Sequence, residues 1–194
     1  MLRRLALAET VYETSRLRLE PLGVKHADVL FSVFRDSRLY RFIPHAPPRN
    51  VGALRERIKR LESRRSPSGE EIWLNWVVTD KVAGTCLGRV EATLLPDGSA
   101  LLAYEIGAEH WQRGYATEAC RRIVEALFSD FAAERVEAQV DSRNVASMNL
   151  LTRLGFVRGP LRMDADHFKG SASHEYTFRL CPPQGGPSAS PGSR

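Results

Sequence analysis

Apolar residues at Ala116, Ala119, Cys120, Ile123, Val124, Leu127, Phe128 and Phe131 recur at intervals of three and four, the spacing of one helix face held over four turns. Shorter runs of the same period pass through Ala27, Leu30, Phe31 and Phe34, and through Leu54, Ile58 and Leu61. They predict two earlier helices, the second over about Val51–Arg65, parted by the consecutive prolines Pro47 and Pro48. Elsewhere the period drops to two. Arg16–Leu22 alternates as a first strand. Ile72–Thr79, Thr85–Leu95 and Leu101–Ile106, joined by Asp80–Gly84 and Pro96–Ser99, read as an antiparallel meander. Val136, Ala138 and Val140 mark a fifth strand, Phe156-Val157 begins a sixth, and Tyr176, Phe178 and Leu180 alternate in a seventh. A short helix carrying Met148, Leu151 and Leu154 lies between the fifth and sixth, with Asn144 as its cap and Gly155 as its stop. Trp73 and Trp76 stand at opposite parity, so one packs inward and the other faces a helix or a cleft.

A length of 194 residues predicts one domain, here 14–180. Residues 1–13 read as a flexible arm or a short helix. Residues 181–194, CPPQGGPSASPGSR, have no hydrophobic anchors and read as a disordered tail. No apolar run approaches the roughly 20 residues of a membrane span, and the N-terminus is too short for a secretory signal. Three cysteines without C-x-x-C spacing suit reduced thiols in a cytoplasmic protein, and five scattered histidines give no metal-ligand spacing. The net charge of +5 is densest in Arg55–Arg65. That run reads as a solvated helix face, or as a contact for nucleic acid or another polyanion. The absence of interleaved aromatic residues disfavours nucleic acid.

Candidate chemistry centres on Trp111-Gln112-Arg113-Gly114-Tyr115-Ala116-Thr117-Glu118-Ala119, where a strand turns into the strongest helix. Small residues at Gly114 and Ala116 let unpaired N–H groups and the positive helix end converge on one point, an arrangement that binds phosphate. Neither the Walker pattern nor the dinucleotide G-x-G-x-x-G is present.

With Tyr104 ahead of W-x-x-G-Y-A-T-E-A, then N-x-x-S at Asn144–Ser147, then Leu154-Gly155-Phe156, the chain resembles the Gcn5-related N-acetyltransferase (GNAT) superfamily, and within it the RimJ/RimL-type, ribosomal-protein alanine acetyltransferase branch. The resemblance implies an α/β (α+β) fold: a mixed, mostly antiparallel sheet of about seven strands, helices on both faces, and a V-shaped split between strands four and five that holds acetyl-CoA. It implies that Gln112, Arg113, Gly114, Tyr115, Ala116 and Thr117 hold the pyrophosphate, with Arg153 as a helper. Main-chain groups of Ile106, Gly107 and Ala108 would pair with the pantetheine arm, and the Asn144 side chain with its amide. Ser147 would sit by the thioester sulfur, and Glu91, Glu105 or Tyr104, or a held water, would take the proton of a primary amine. The acceptor would be a protein N-terminus or a small molecule, and the protein a monomer or homodimer without a metal. A basic rim from the second helix would favour an acceptor with acidic groups. Many relatives carry glycine where Gln112 stands, Gly-Tyr where Ala103-Tyr104 stands, and proline where Ala108 stands. A non-catalytic acyl-CoA sensor and a nucleic-acid-binding module using Arg55–Arg65 are the rival readings.

Overall fold

Two aspartate-led turns fold the middle of the chain into a meander. Asp80 Oδ1 accepts from the N–H groups of Val82 and Ala83, both at 2.9 Å, and Asp97 Oδ1 accepts from the Ser99 N–H at 3.0 Å. They join β3 (Ile72–Asp80), β4 (Cys86–Leu94) and β5 (Ser99–Ile106). The computed structural model describes residues 2–182. Among these, β1 (Tyr12–Glu13), β2 (Leu17–Pro21), β6 (Arg135–Asp141), β7 (Val157–Phe168) and β8 (Ser171–Leu180) complete an eight-stranded sheet in the order β1-β2-β3-β4-β5-β6-β8-β7. Every pairing is antiparallel except β5 with β6. That parallel contact covers only Ser99–Leu101 against Arg135–Glu137, after which the two strands part.

Helices α1 (Leu2–Leu7), α2 (Ala27–Phe34), α3 (Val51–Leu61), α4 (Tyr115–Ser129) and α5 (Val145–Arg153) flank the sheet. Consecutive residues of β3 serve opposite faces. Trp76 joins Leu19, Val90 and Leu102 under the Ala119–Leu127 stripe of α4, whereas Val77 joins Leu22, Leu30, Phe34, Leu54 and Ile58 under α2 and α3. Trp76 is wholly buried, edge-on to Phe131, and its indole N–H donates to Thr10 O at 3.2 Å. Trp73 is half-buried and donates to Glu71 Oε2.

Three departures from the sequence reading have physical causes. The N-terminal segment takes the short-helix alternative rather than a loose arm: α1 forms, Ala8 and Tyr12 are buried, and Tyr12 Oη donates to Asp130 Oδ2 at 2.8 Å. Strand β1, which this segment adds, is why the sheet has eight strands. Helix α3 stops at Leu61 because Arg64 turns left-handed (φ 57°) and buries its guanidinium, donating to Glu9 Oε1 and Leu22 O. The sixth strand is a long hairpin arm whose pairing with β8 shifts register between Arg158 and Leu161 and between Arg162 and Asp166, which breaks the period of two. Of the tail, residues 183–194 lie outside the described residues.

One glycine is required by the sheet itself. Beside the β3–β4 register shift, Gly88 has φ 146°, and a Cβ there would lie 2.0 Å from Glu105 O. Gly88→Ala should therefore cost about 3 kcal/mol or more, as strained backbone and an overpacked sheet combine. Urea unfolding of the two proteins checks this, and a loss under about 1 kcal/mol would refute it.

Candidate active site

The loop that enters α4 is shaped by two left-handed residues, Gln112 (φ 59°) and Gly114 (φ 77°). Such alternation turns successive N–H groups toward one side. Among the described residues, none of the backbone N–H groups from Gln112 through Thr117 finds an acceptor; the first engaged is that of Glu118, bonded to Gly114 O at 3.0 Å. Six donors thus gather at the positive end of a fifteen-residue helix. The Arg113 side chain is exposed beside them.

A buttress behind the loop keeps this shape. The Arg16 guanidinium donates to Arg113 O at 3.0 Å and to Glu118 Oε2 at 2.7 Å, and lies 4.6 Å from the Tyr115 ring centroid. Glu118 also accepts from Thr14 Oγ1, Ser15 Oγ and the Arg16 N–H, while Tyr115 Oη donates to Asp80 Oδ2. The loop is therefore fastened to the start of β2 and to the β3–β4 turn. Arg16 was not legible as a site residue, because its partners lie about a hundred positions away.

The edge of β5 at the split is partly committed. Gly107 N–H donates to Leu87 O, so ladder alternation turns the main chain of Tyr104 and Ile106 away from β4 and toward the split. Ile106 O receives the Trp111 indole N–H at 2.6 Å, Gly107 O receives His110 N–H, and Ala108 O receives Trp111 N–H. The carbonyls of Ile106–Ala108 are thus each engaged inside the protein. The open strand edge lies one step earlier, at Tyr104.

Across the split, Asn144 caps α5, its Oδ1 accepting from the Ser147 N–H at 3.2 Å. Its amide NH2 has no acceptor among the described residues. The turn before it rests on Asp141, whose carboxylate accepts from the Arg143 N–H and guanidinium and from buried Ser173 Oγ. These bonds, the Arg143 side chain foremost, hold the Asp141 carboxyl down at about 2. Ser147 Oγ and Tyr104 Oη lie 2.7 Å apart, so α5 and β5 bring two hydroxyls together at the split. Burial drives the Tyr104 phenol well above its ordinary range, keeping it protonated. Arg153, at the far end of α5, is exposed.

Glu91 and Glu105 lie on the other face of the sheet. Both are paired with buried Arg89: its Nε donates to Glu105 Oε2 at 2.7 Å, and its Nη2 stands 3.1 Å from Glu91 Oε2. Phe34 covers the guanidinium at 5.3 Å. Tyr40 stands nearby, its phenol pushed up to about 12 by burial and by the charge of Glu105. Lys169, at the tip of the β7–β8 hairpin, donates to Tyr40 O and Ile43 O and closes this side. Within the basic run, Arg55 pairs with Asp28 and Arg64 is internal, which leaves Arg57, Lys59, Arg60 and Arg65 on the surface. Among the described residues no cluster of three or more metal-ligating side chains occurs, and no helix is long and apolar enough to cross a membrane.

A family model for the acetyltransferase (GNAT) domain matches residues 16–157. An uncharacterized N-acetyltransferase of Bacillus licheniformis, p20, is 30% identical over 175 residues, 89% of this chain and 96% of that protein. The structure of a ribosomal-protein-S5-alanine acetyltransferase from Vibrio fischeri superposes with a TM-score of 0.78 at 18% identity, covering 92% of this chain and all of that one. A spermidine N-acetyltransferase from Vibrio cholerae, in complex with CoA and spermine, superposes with a TM-score of 0.73 at 17% identity, over 87% of this chain and 96% of its own. These two structures share the fold.

Asp141 makes the α5 turn sensitive to acid. Its folded pKa lies below the unfolded value of about 3.9, so its contribution is complete above about pH 4 and is lost as pH falls toward 2. With Arg143 half-exposed and screened, Asp141→Asn should cost about 1–2 kcal/mol at pH 6. The two stabilities should converge near pH 2 in denaturant titrations. A gap that persists unchanged at pH 2 would refute the ionic account.

Proposed function

The chain belongs to the GNAT acetyltransferase family, whose members are acyl-CoA-dependent, and we propose that it transfers acetyl from acetyl-CoA directly to a primary amine in a ternary complex. The observation that carries this reading is the row of six acceptor-free N–H groups, Gln112–Thr117, set beside a sheet that opens between β5 and β6. A pyrophosphate satisfies such a row, with Arg113 adding charge and Arg153 helping from α5. The pantetheine arm extends β5 through the open main chain of Tyr104 and the N–H of Ile106, whose carbonyl Trp111 already holds, runs past Gly107 and Ala108, and accepts at one of its carbonyls from the Asn144 amide.

The chemistry follows from the two faces. On one, Ser147 protonates the departing thiolate and Tyr104 replenishes it. A thiol has a pKa of about 8.5, so mild acid suffices. Main-chain N–H groups of β5 polarise the thioester carbonyl. On the other face, the Glu91 and Glu105 carboxylates receive the ammonium proton, directly or through water. Tyr104, kept protonated by burial, serves as the donor and not as the base. The acceptor is a small-molecule amine or a peptide N-terminus, as the RimJ/RimL-type reading has it. Buried Cys120 and the absence of a disulfide among the described residues suit a reducing cytoplasm.

Acetyl-CoA should raise Tm by several degrees through linkage, and an oligonucleotide should not. Ser147→Ala and Tyr104→Phe should each lower kcat about 10–100-fold, with KM for acetyl-CoA nearly unchanged, in an assay of thiol release over a panel of amines. Protection by acetyl-CoA without turnover of any amine would mark a sensor. Protection by the oligonucleotide alone would overturn the reading.

A further inference from the structure

Between the turn after β5 and the start of α4, the carbonyls of Trp111, Gln112 and Arg113 belong to no ladder and no helix. Among the described residues only one of them has a donor: Arg113 O receives Arg16 Nη1 at 3.0 Å. A trans peptide points its carbonyl and its N–H in opposite directions. Holding Arg113 O behind the loop therefore aims the Gly114 N–H into the outward row, where it meets no acceptor. The next carbonyl, Gly114 O, is held by the Glu118 N–H at 3.0 Å and aims the Tyr115 N–H likewise. That second bond is the helix's own. The first depends on a side chain 97 positions away.

Glycine makes the hold necessary. Gly114 sits at φ 77°, and a glycine reaches the mirror conformation about as readily, so the Arg113–Gly114 peptide turns over easily once its carbonyl is free. Turned over, it would present a carbonyl oxygen to the phosphates in place of a donor. The guanidinium lies directly behind this peptide, with Nη2 3.4 Å from the point a Gly114 Cβ would occupy. Its other bonds face the same way. Nε and Nη2 lie 2.7 and 2.6 Å from Glu118 Oε2, and the group stacks 4.6 Å from the Tyr115 ring centroid. All three nitrogens are thus committed behind the loop. Their charge also offsets Glu118, a carboxylate in the first turn of α4 that competes with an anion for that helix end.

Resting on the acetyltransferase reading above, we infer that Arg16 is a positioning residue for the diphosphate of the thioester donor. By holding the Arg113 carbonyl it keeps the Gly114 N–H preset. This raises affinity for a thioester that carries a diphosphate and leaves one without it unaffected. The chain thereby distinguishes coenzyme A thioesters from acyl groups on bare pantetheine through a residue that touches neither.

Acetyl-CoA and S-acetylpantetheine, which ends before the diphosphate, test this with one amine held saturating. In Arg16→Gln, KM for acetyl-CoA should rise about tenfold with kcat within about twofold, and kcat/KM for S-acetylpantetheine should stay within about twofold. Arg16→Lys keeps a charge for Glu118, but a point charge in place of the fork does not span Glu118 and Arg113 O together. It should hold Tm within about 2 °C of the unsubstituted protein while KM for acetyl-CoA stays raised about fivefold or more. A merely structural role would move Tm and both thioesters together. An equal change for both donors, an unchanged KM in Arg16→Gln, or full recovery of KM by lysine overturns the inference while acetyl transfer stands. If Arg16→Gln does not fold, Arg16→Lys decides alone. If the unsubstituted protein turns over no amine, the acetyltransferase reading falls, and calorimetry of CoA decides the inference instead. CoA bound about fivefold more weakly by Arg16→Lys at unchanged Tm supports it, and equal affinity or no binding overturns it.

Discussion

The site depends on the point at which β5 and β6 stop pairing. Three residues of parallel ladder, Ser99–Leu101 with Arg135–Glu137, join the two halves of the sheet, and beyond them every main-chain group on the facing edges loses its neighbour. An open edge inside a fold is costly unless something else takes the bonds. Here the protein answers only in part. Trp111 reaches back to close Ile106 O, and the turn at Gly107–Ala108 closes on itself, but Tyr104 is left open. The bulge beside Gly88 lies in the row of Ile106, where β5 has already left β6, and the bend that a bulge imparts is consistent with that departure.

Position along the chain then does the rest. Because β5 ends at the split, the loop after it must rise over the sheet before α4 descends the far face. The unpaired start of α4 is therefore held at the mouth of the opening. Arg16 and Glu118 fix that height from behind, so the free N–H groups stay turned outward rather than folding into local turns. The Asn144 cap sets α5 on the other side, and Tyr104 and Ser147 meet across the opening. Donor groups, hydroxyls and open strand edge are consequences of one interruption in one ladder.

What was legible in the sequence was what is local. The stripe of α4, the turn residues of the meander, the Asn144 cap and the Gly155 stop each depend on neighbours a few positions apart, and each appears where the spacing placed it. The loop was legible because glycine and small residues there have a backbone meaning. Pairings across the chain were not. Arg16 with Glu118, Arg64 with Glu9, and Lys169 with the Tyr40–Ile43 loop join polar residues that sequence shows only as surface charge. Strand β7 hid for a different reason: its register shifts and the left-handed Asp164 erase the alternation by which strands are recognised. Asn75 was hidden within an otherwise apolar run, where nothing marks which polar residue lacks a partner.

The contrast between the two faces bears on what the molecule is for. A sheet buried under α4 needs only apolar side chains on that face, and Leu19, Trp76, Val90 and Leu102 supply them. On the other face the same strands bury an arginine, two partly covered glutamates and an asparagine with an orphan oxygen. Removing charges from water costs several kcal/mol each, and well-packed hydrophobic residues of similar volume often serve stability as well or better. Stability therefore gives no reason for Arg89, Glu91, Glu105 and Asn75 to gather beside the split. Natural folds depart from local consistency chiefly at functional sites, and this cluster departs from it on the strands beside the opening between β5 and β6.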